Sequence, residues 1–227
     1  MKNDKEKLKF FWKLTADCPF MCPYCMDAPK RNISRILTNR LLPEEWIFYW
    51  KLIYDKYGTC EIVLLEEPLS YPELEKLISM LQEIHYPIHI STALSREVDF
   101  IINALSPARV RIHARFHPLF ITSEDFLRRM LALKMAKFQI HVSILAYPLY
   151  LDNIPIYVEE FRRKALNEYL KVDPYVGEYR GARYPESYSP QMRKYLGLSE
   201  FPEERWHSDS NGNGKKGQEE MKNLCRW

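Results

Sequence analysis

Short apolar runs of strand length alternate with longer stretches of helical period along most of this chain, and that alternation limits what it can fold into. Strand-like runs begin near Leu8 (LKFFWKLTA), Cys60 (CEIVLL), Ile88 (IHISTA), Val110 (VRIHARF), Gln139 (QIHVSILA) and Tyr169 (YLKV), six in all. Such alternation is the pattern of βα units building a parallel sheet. Between the runs, Ser70-Tyr71-Pro72-Glu73 has capping-box spacing, and Leu74, Leu77, Ile78, Leu81 and Ile84 mark one apolar helix face. Thr122 to Asp125 repeats that opening before FLRRMLALKM, and Pro43-Glu44-Glu45 places Pro and acids in a first turn ahead of WIFYWKLIY. Further helices are expected over 96–105 and 156–165. Six units are fewer than the eight of a closed barrel, so the expected fold is α/β, a partial (βα)6 TIM-like barrel over residues 1–175. In such folds ligands sit at the C-terminal ends of the strands.

Residues 176–227 are expected to form a loop-rich C-terminal extension. The rings of Tyr175, Tyr179, Tyr184 and Tyr188, in and just before it, are read as covering apolar surface and closing the barrel. SDSNGNGKKG, residues 208–217, reads as a flexible linker, and EEMKNLCRW as a last short helix.

Composition narrows the function classes. Of 227 residues, 46% are hydrophobic and 28% charged, the balance of a globular chain rather than a disordered one. The net charge of +3 makes no strong field toward nucleic acid or an anionic membrane, and neither is an expected partner. Arg128-Arg129 and Arg162-Arg163-Lys164 read as solvated helix faces. MKNDKEKLKFFWKL lacks the long apolar core of a secretory signal, and no apolar run approaches the ~20 residues of a membrane span. The glycines, at 58, 177, 181, 197, 212, 214 and 217, form no GxGxxG or GxxxxGK[ST] loop, which disfavours Rossmann and P-loop chemistry.

Five cysteines, three of them bunched, do not make a disulfide framework and point to a reducing compartment, the cytoplasm. The bunch is ADCPFMCPYCM, with Cys18, Cys22 and Cys25 following the first strand. Three thiolates spaced Cys-x3-Cys-x2-Cys can ligate three irons of a [4Fe-4S] cluster and leave the fourth open to a ligand. A zinc-binding interaction module is the weakest alternative: zinc sites usually pair two Cys/His couples, and only Cys22-x2-Cys25 forms one. Cys60 reads as a buried small hydrophobe and Cys225 as inert.

With Tyr24 just before the third cysteine, a preceding strand and six βα units, the chain resembles the radical S-adenosylmethionine (radical SAM) enzymes over roughly residues 1–175. The resemblance implies a [4Fe-4S] cluster on Cys18, Cys22 and Cys25, with SAM bound at the open iron by its amino and carboxylate groups. It implies reductive cleavage of SAM to methionine and a 5′-deoxyadenosyl radical that takes hydrogen from a substrate, and an electron donor of flavodoxin or ferredoxin type. Tyr24 is placed against the adenine. The family's Gly-Gly-Glu-Pro loop reads Leu65-Glu66-Glu67-Pro68 here, so Glu67 and Pro68 match while both glycines are replaced; glycine allows close approach and unusual φ that Leu and Glu resist. The third strand ends Ser91-Thr92-Ala93, where relatives commonly carry Asn after the Thr. The implied cofactor contacts are Tyr24, Glu66, Glu67, Thr92 and Ser143.

His113, Arg115 and His117 alternate along the fourth strand, and Gln139, His141 and Ser143 along the fifth, so each trio shares a face. Those faces either contact ligand or satisfy one another inside the barrel. Two readings of the whole follow: a radical SAM enzyme, or a catalytically degenerate scaffold that keeps the cluster or SAM without turnover.

Overall fold

A computed structural model describes residues 7–25, 41–164 and 169–198. Cys225, the 208–217 linker and EEMKNLCRW lie outside the described residues. The chain divides into two compact units, one ending at Asp173 and the other beginning at Pro174.

The first unit is a six-stranded sheet in sequence order: β1 (Lys9–Trp12), β2 (Glu61–Leu64), β3 (Ile88–Thr92), β4 (Val110–Phe116), β5 (Gln139–Ala146) and β6 (Leu170–Pro174). Neighbours from β1 to β5 pair in parallel, as in Trp12↔Leu64, Leu64↔Ile90, Thr92↔Ala114 and Phe116↔Ile144. All six sequence-expected strands are present, the first five within the runs that signalled them and β6 running two residues past YLKV to Pro174.

Register settles which side each strand buries. Ile62, Leu64, Ile88, Ile90, Val110, Ile112, Ala114, Phe116, Ile140, Val142 and Ile144 share one face and are buried. The helices cover that face: α1 (Pro43–Tyr57), α2 (Leu74–Leu81), α3 (Asp99–Ala104), α4 (Ser123–Met135) and α5 (Ile154–Arg163). Ring contacts mark the seam, Phe10 on Trp50 and Trp12 on Trp46 at α1, Phe116 on Phe126 of α4 and on Phe161 of α5. Each such side chain contributes about 1.5–3 kcal/mol by burial.

Helix starts follow the sequence in two cases and depart in one. At α4 the Thr122 hydroxyl accepts from the Asp125 amide at 3.1 Å, and at α1 the Glu45 carboxylate accepts from the Leu42 amide at 2.7 Å. The Ser70–Glu73 capping box does not form: Pro68–Ser70 is a 3-10 turn, and α2 begins at Leu74 after Glu73 with no side-chain cap. The local signal lost because the chain must leave β2 through a tight turn that buries Pro68 and Leu69. The apolar face of α2 nevertheless reads as expected, with Leu74, Leu77, Ile78 and Leu81 buried.

In the second unit the Tyr-rich segment is more ordered than a loop. It holds an antiparallel hairpin, β7 (Gly177–Tyr179) and β8 (Ala182–Tyr184), and a helix α6 (Pro190–Tyr195) capped by the Ser189 hydroxyl. The hairpin turn takes positive φ at both central residues, Arg180 at 51° and Gly181 at 78°, the twist that suits a two-residue turn. The Tyr188 hydroxyl accepts from the Tyr175 amide at 2.7 Å.

Candidate functional site

The three cysteines sit on the segment that leaves the C-terminal end of β1. Cys22 is buried, while Cys18 and Cys25 are half-buried. A turn closes between them, with the Cys25 amide donating to the Cys22 carbonyl at 3.1 Å. From the end of β4, His117 reaches this turn: its Nδ1 lies 3.3 Å from Cys22 Sγ and 2.8 Å from the Tyr24 hydroxyl. Tyr24 stacks on the His117 ring at 5.7 Å and 13°, and its other ring neighbours are Tyr147 at 4.7 Å and Tyr150 at 6.5 Å, beyond β5. Burial, with Tyr150 and Cys22 close by, raises the Tyr24 hydroxyl far above the ordinary tyrosine range, so it stays protonated.

The donor chemistry of this loop fits an iron-sulfur cluster, since soft thiolates are what hold one. Among the described residues no three His, Cys, Asp or Glu side chains converge on one point as a single metal ion requires. A cube gripped at three separate irons makes no such demand.

Beside the cysteines, the loops after β2 and β3 are locked together. Glu67, 2% exposed, accepts hydrogen bonds from the Thr92 hydroxyl at 2.7 Å, the Ala93 amide at 2.5 Å and the Ser95 hydroxyl at 3.0 Å. Burial still raises its carboxyl above the ordinary carboxylate range, against those three donors. The Thr92 hydroxyl in turn accepts from the Leu94 amide at 2.9 Å. Glu66 stands at φ 68°, where glycine is at ease and Glu is not, and its carboxylate pairs with Lys13. The turn keeps a glycine-like backbone without the glycine. Arg129 is a correction: rather than a solvated face, it donates to the Leu94 carbonyl at 2.5 Å and pairs with Glu97 at 2.9 Å, bracing the loop after β3. Arg128 joins that pair at 2.7 Å, and the two arginines hold the Glu97 carboxyl down at about 2.

The face of the sheet away from the helices is polar. Lys9 pairs with Glu61 at 2.7 Å, and Glu61 lies 3.1 Å from His89 Nε2, a close electrostatic contact rather than an aligned hydrogen bond. His89 Nδ1 and His113 Nε2 share a hydrogen bond of 2.7 Å. The rings of His89 and His113 stack at 4.9 Å, and those of His113 and His141 at 5.0 Å. Burial, with Arg111, Lys9 and His141 nearby, lowers His89 to about 4 and His113 to about 3, so both are neutral at pH 7. Higher on the same face Arg115 Nε donates to the Ser143 hydroxyl at 3.4 Å.

The expected residues thus form three groups. Cys18, Cys22, Cys25 and Tyr24 share the loop after β1; Glu66, Glu67 and Thr92 sit at the ends of β2 and β3; Ser143 lies within β5 beside Arg115. The alternation along β4 and β5 stands, but His113 and His141 belong to the histidine stack while His117, just past β4, touches the cysteine turn. Lys9, Glu61, His89, Tyr147 and Tyr150 join these groups only in the folded structure. IHIST, with polar His89 and Ser91 two apart, carries a period-two signal for His89, whereas Lys9 and Glu61 are single polar residues opening apolar strands. Cys60 is fully buried, its thiol donating to the Gly58 carbonyl at 3.3 Å.

A six-stranded α/β sheet with a three-cysteine loop at the C-terminal end of its first strand defines the class of fold. Among solved structures it is similar to Streptococcus suis SuiB bound to S-adenosylmethionine, at a TM-score of 0.59 and 12% identity over 84% of this chain and 46% of that one. It is similar also to native anSMEcpe with bound AdoMet and Kp18Cys peptide, at a TM-score of 0.60 and 15% identity over 85% and 59%. The chain spans about half the length of these solved chains. No protein-family model and no curated protein matches it. At such identities the likeness establishes the fold alone. Among the described residues no helix is long and apolar enough to cross a membrane.

Proposed function

We propose that this chain carries a radical SAM enzyme centre, in a partial barrel of that type, with Cys18, Cys22 and Cys25 holding a [4Fe-4S] cluster. One observation carries the reading: the thiol loop leaves β1 at the end of the sheet where ligands gather, in a fold shared with two structures that bind S-adenosylmethionine. When bound, the cluster supplies the electron that splits SAM into methionine and a 5′-deoxyadenosyl radical.

The chain's own residues do the rest. Tyr24 and its aromatic neighbours Tyr147 and Tyr150 shield the thiol turn from water. Glu67, tied to Thr92, Ala93 and Ser95, holds the loops after β2 and β3 in one geometry, and Glu66 and Thr92 stand at the rim where the SAM amino group would lie. Arg115 and Ser143 offer donors on the polar face of the sheet, above the histidine stack. The electron donor is of flavodoxin or ferredoxin type, and the compartment the reducing cytoplasm.

A second reading, a scaffold that binds cluster or SAM without turnover, is favoured by Glu67 itself. Its carboxylate already accepts three hydrogen bonds, so an ammonium group would have to compete with them.

Anaerobic reconstitution decides between these. Wild type should take up iron and acid-labile sulfide and, with SAM and a strong reductant, release 5′-deoxyadenosine; Cys22→Ala should do neither. Iron without 5′-deoxyadenosine selects the scaffold. A colourless wild-type protein with no iron and no sulfide sinks both.

A further inference from the structure

We propose that His117 is a positioning residue for the cysteine turn, donating its Nδ1–H to the Cys22 sulfur and thereby setting the reduction potential of the bound cluster. The proposal rests on the cluster reading above.

Two contacts converge on one nitrogen. Cys22 Sγ is 3.3 Å and the Tyr24 hydroxyl 2.8 Å from His117 Nδ1, across sequence separations of 95 and 93 residues. With a thiol at Cys22, the nitrogen can accept from either group. A ligating Cys22 is a thiolate, and a thiolate only accepts. Nδ1 can hydrogen-bond that thiolate only as a donor, so the tautomer with hydrogen on Nδ1 is the one that fits the loaded state. In that tautomer the one N–H is shared, with the Cys22 sulfur and the Tyr24 oxygen both accepting from it.

The ring cannot easily turn away. The His117 carbonyl accepts from the amides of Phe120 at 2.9 Å and Ile121 at 3.2 Å, which pins its backbone just past β4. Tyr24 stacks on one face, Phe20 meets the ring edge-on at 5.9 Å, and Phe20 stacks on Phe120 at 5.1 Å and 12°. Cys22 is also buried, 5% exposed, so water can do little to solvate charge on its sulfur. A hydrogen bond to a cluster sulfur stabilises the reduced, more negative form over the oxidised one and raises the potential. A fixed donor on a buried ligand is placed to exert that effect.

The test uses the reconstituted full chain as wild type, His117→Ala and His117→Asn, the last keeping an amide N–H near the Nδ1 position. Iron and sulfide per chain are measured first, then the cluster midpoint potential by redox titration. All three should load. His117→Ala should favour the reduced cluster at least tenfold less, a fall of about 59 mV for a one-electron couple, with most of that restored in His117→Asn. Loaded wild type and His117→Ala with equal potentials overturn the proposal and leave the cluster reading standing, whereas wild type without iron overturns both. Should the alanine variant not fold, wild type grown on [15N]histidine decides: pulsed EPR of the reduced cluster should show 15N coupling through the N–H···S contact, and no coupling refutes the role.

Discussion

Acid should unfold the first unit through its stacked histidines. His89 and His113 are 6% and 7% exposed and hydrogen-bonded to each other at 2.7 Å. Protonating both would press two N–H groups together, with Lys9, Arg111 and His141 adding like charge and Glu61 alone opposing it. Their folded pKa values, about 4 and about 3, lie below the ordinary 6.5, so below pH 6.5 the unfolded chain binds more protons than the folded one. Stability is therefore fully present above pH 6.5 and is lost as pH falls toward 4. Between pH 8 and pH 5 the loss is about 2 kcal/mol for each of the two histidines, taking 1.36 kcal/mol per unit below 6.5. Glu67 works the other way, since a raised carboxyl favours the fold as pH drops. Urea unfolding at both pH values, in wild type and His113→Gln, isolates the effect, because the Glu67 contribution is common to both proteins. The difference in unfolding free energy between pH 8 and pH 5 should be about 2 kcal/mol smaller in the variant, whatever its absolute stability. Equal pH dependence in the two proteins refutes the argument.

Further outcomes follow from single contacts. Glu67→Gln turns an acceptor toward three donors into a group that also donates, and should cost about 1–3 kcal/mol in urea unfolding. Glu66→Gly should exceed Glu66→Ala in stability by about 1 kcal/mol: both lose the Lys13 pair, and only alanine retains the cost of φ 68°. Phe161→Ala removes a fully buried ring that stacks on Phe126 at 5.6 Å and meets Phe116 at 5.2 Å, and should cost about 3–5 kcal/mol, read as a drop in urea midpoint.

Which parts of this protein are written locally and which emerge only on folding can be seen strand by strand. VRIHARF and QIHVSILA announce strands, and their period of two announces two faces, because alternation is a property of the extended chain itself. The α2 stripe of Leu74, Leu77, Ile78 and Leu81 was equally legible, since a helix repeats its own face every three or four residues. The thiol trio needs only sequence spacing to be noticed. By contrast, the failed capping box at Ser70 shows a local signal overruled by the turn that β2 requires.

Tertiary structure alone decided who meets whom. Nothing in the spacing of Cys22 and His117, or of Glu67 and Ser95, says that they touch; parallel pairing brings the ends of β1 to β4 to one rim, and contact follows from register. The same register stacks His89, His113 and His141 from three strands into one column. Periodicity is fixed by the geometry of one segment, so a sequence carries it openly. Side-chain meetings, burial and protonation depend on other segments arriving, and only the folded sheet supplies them.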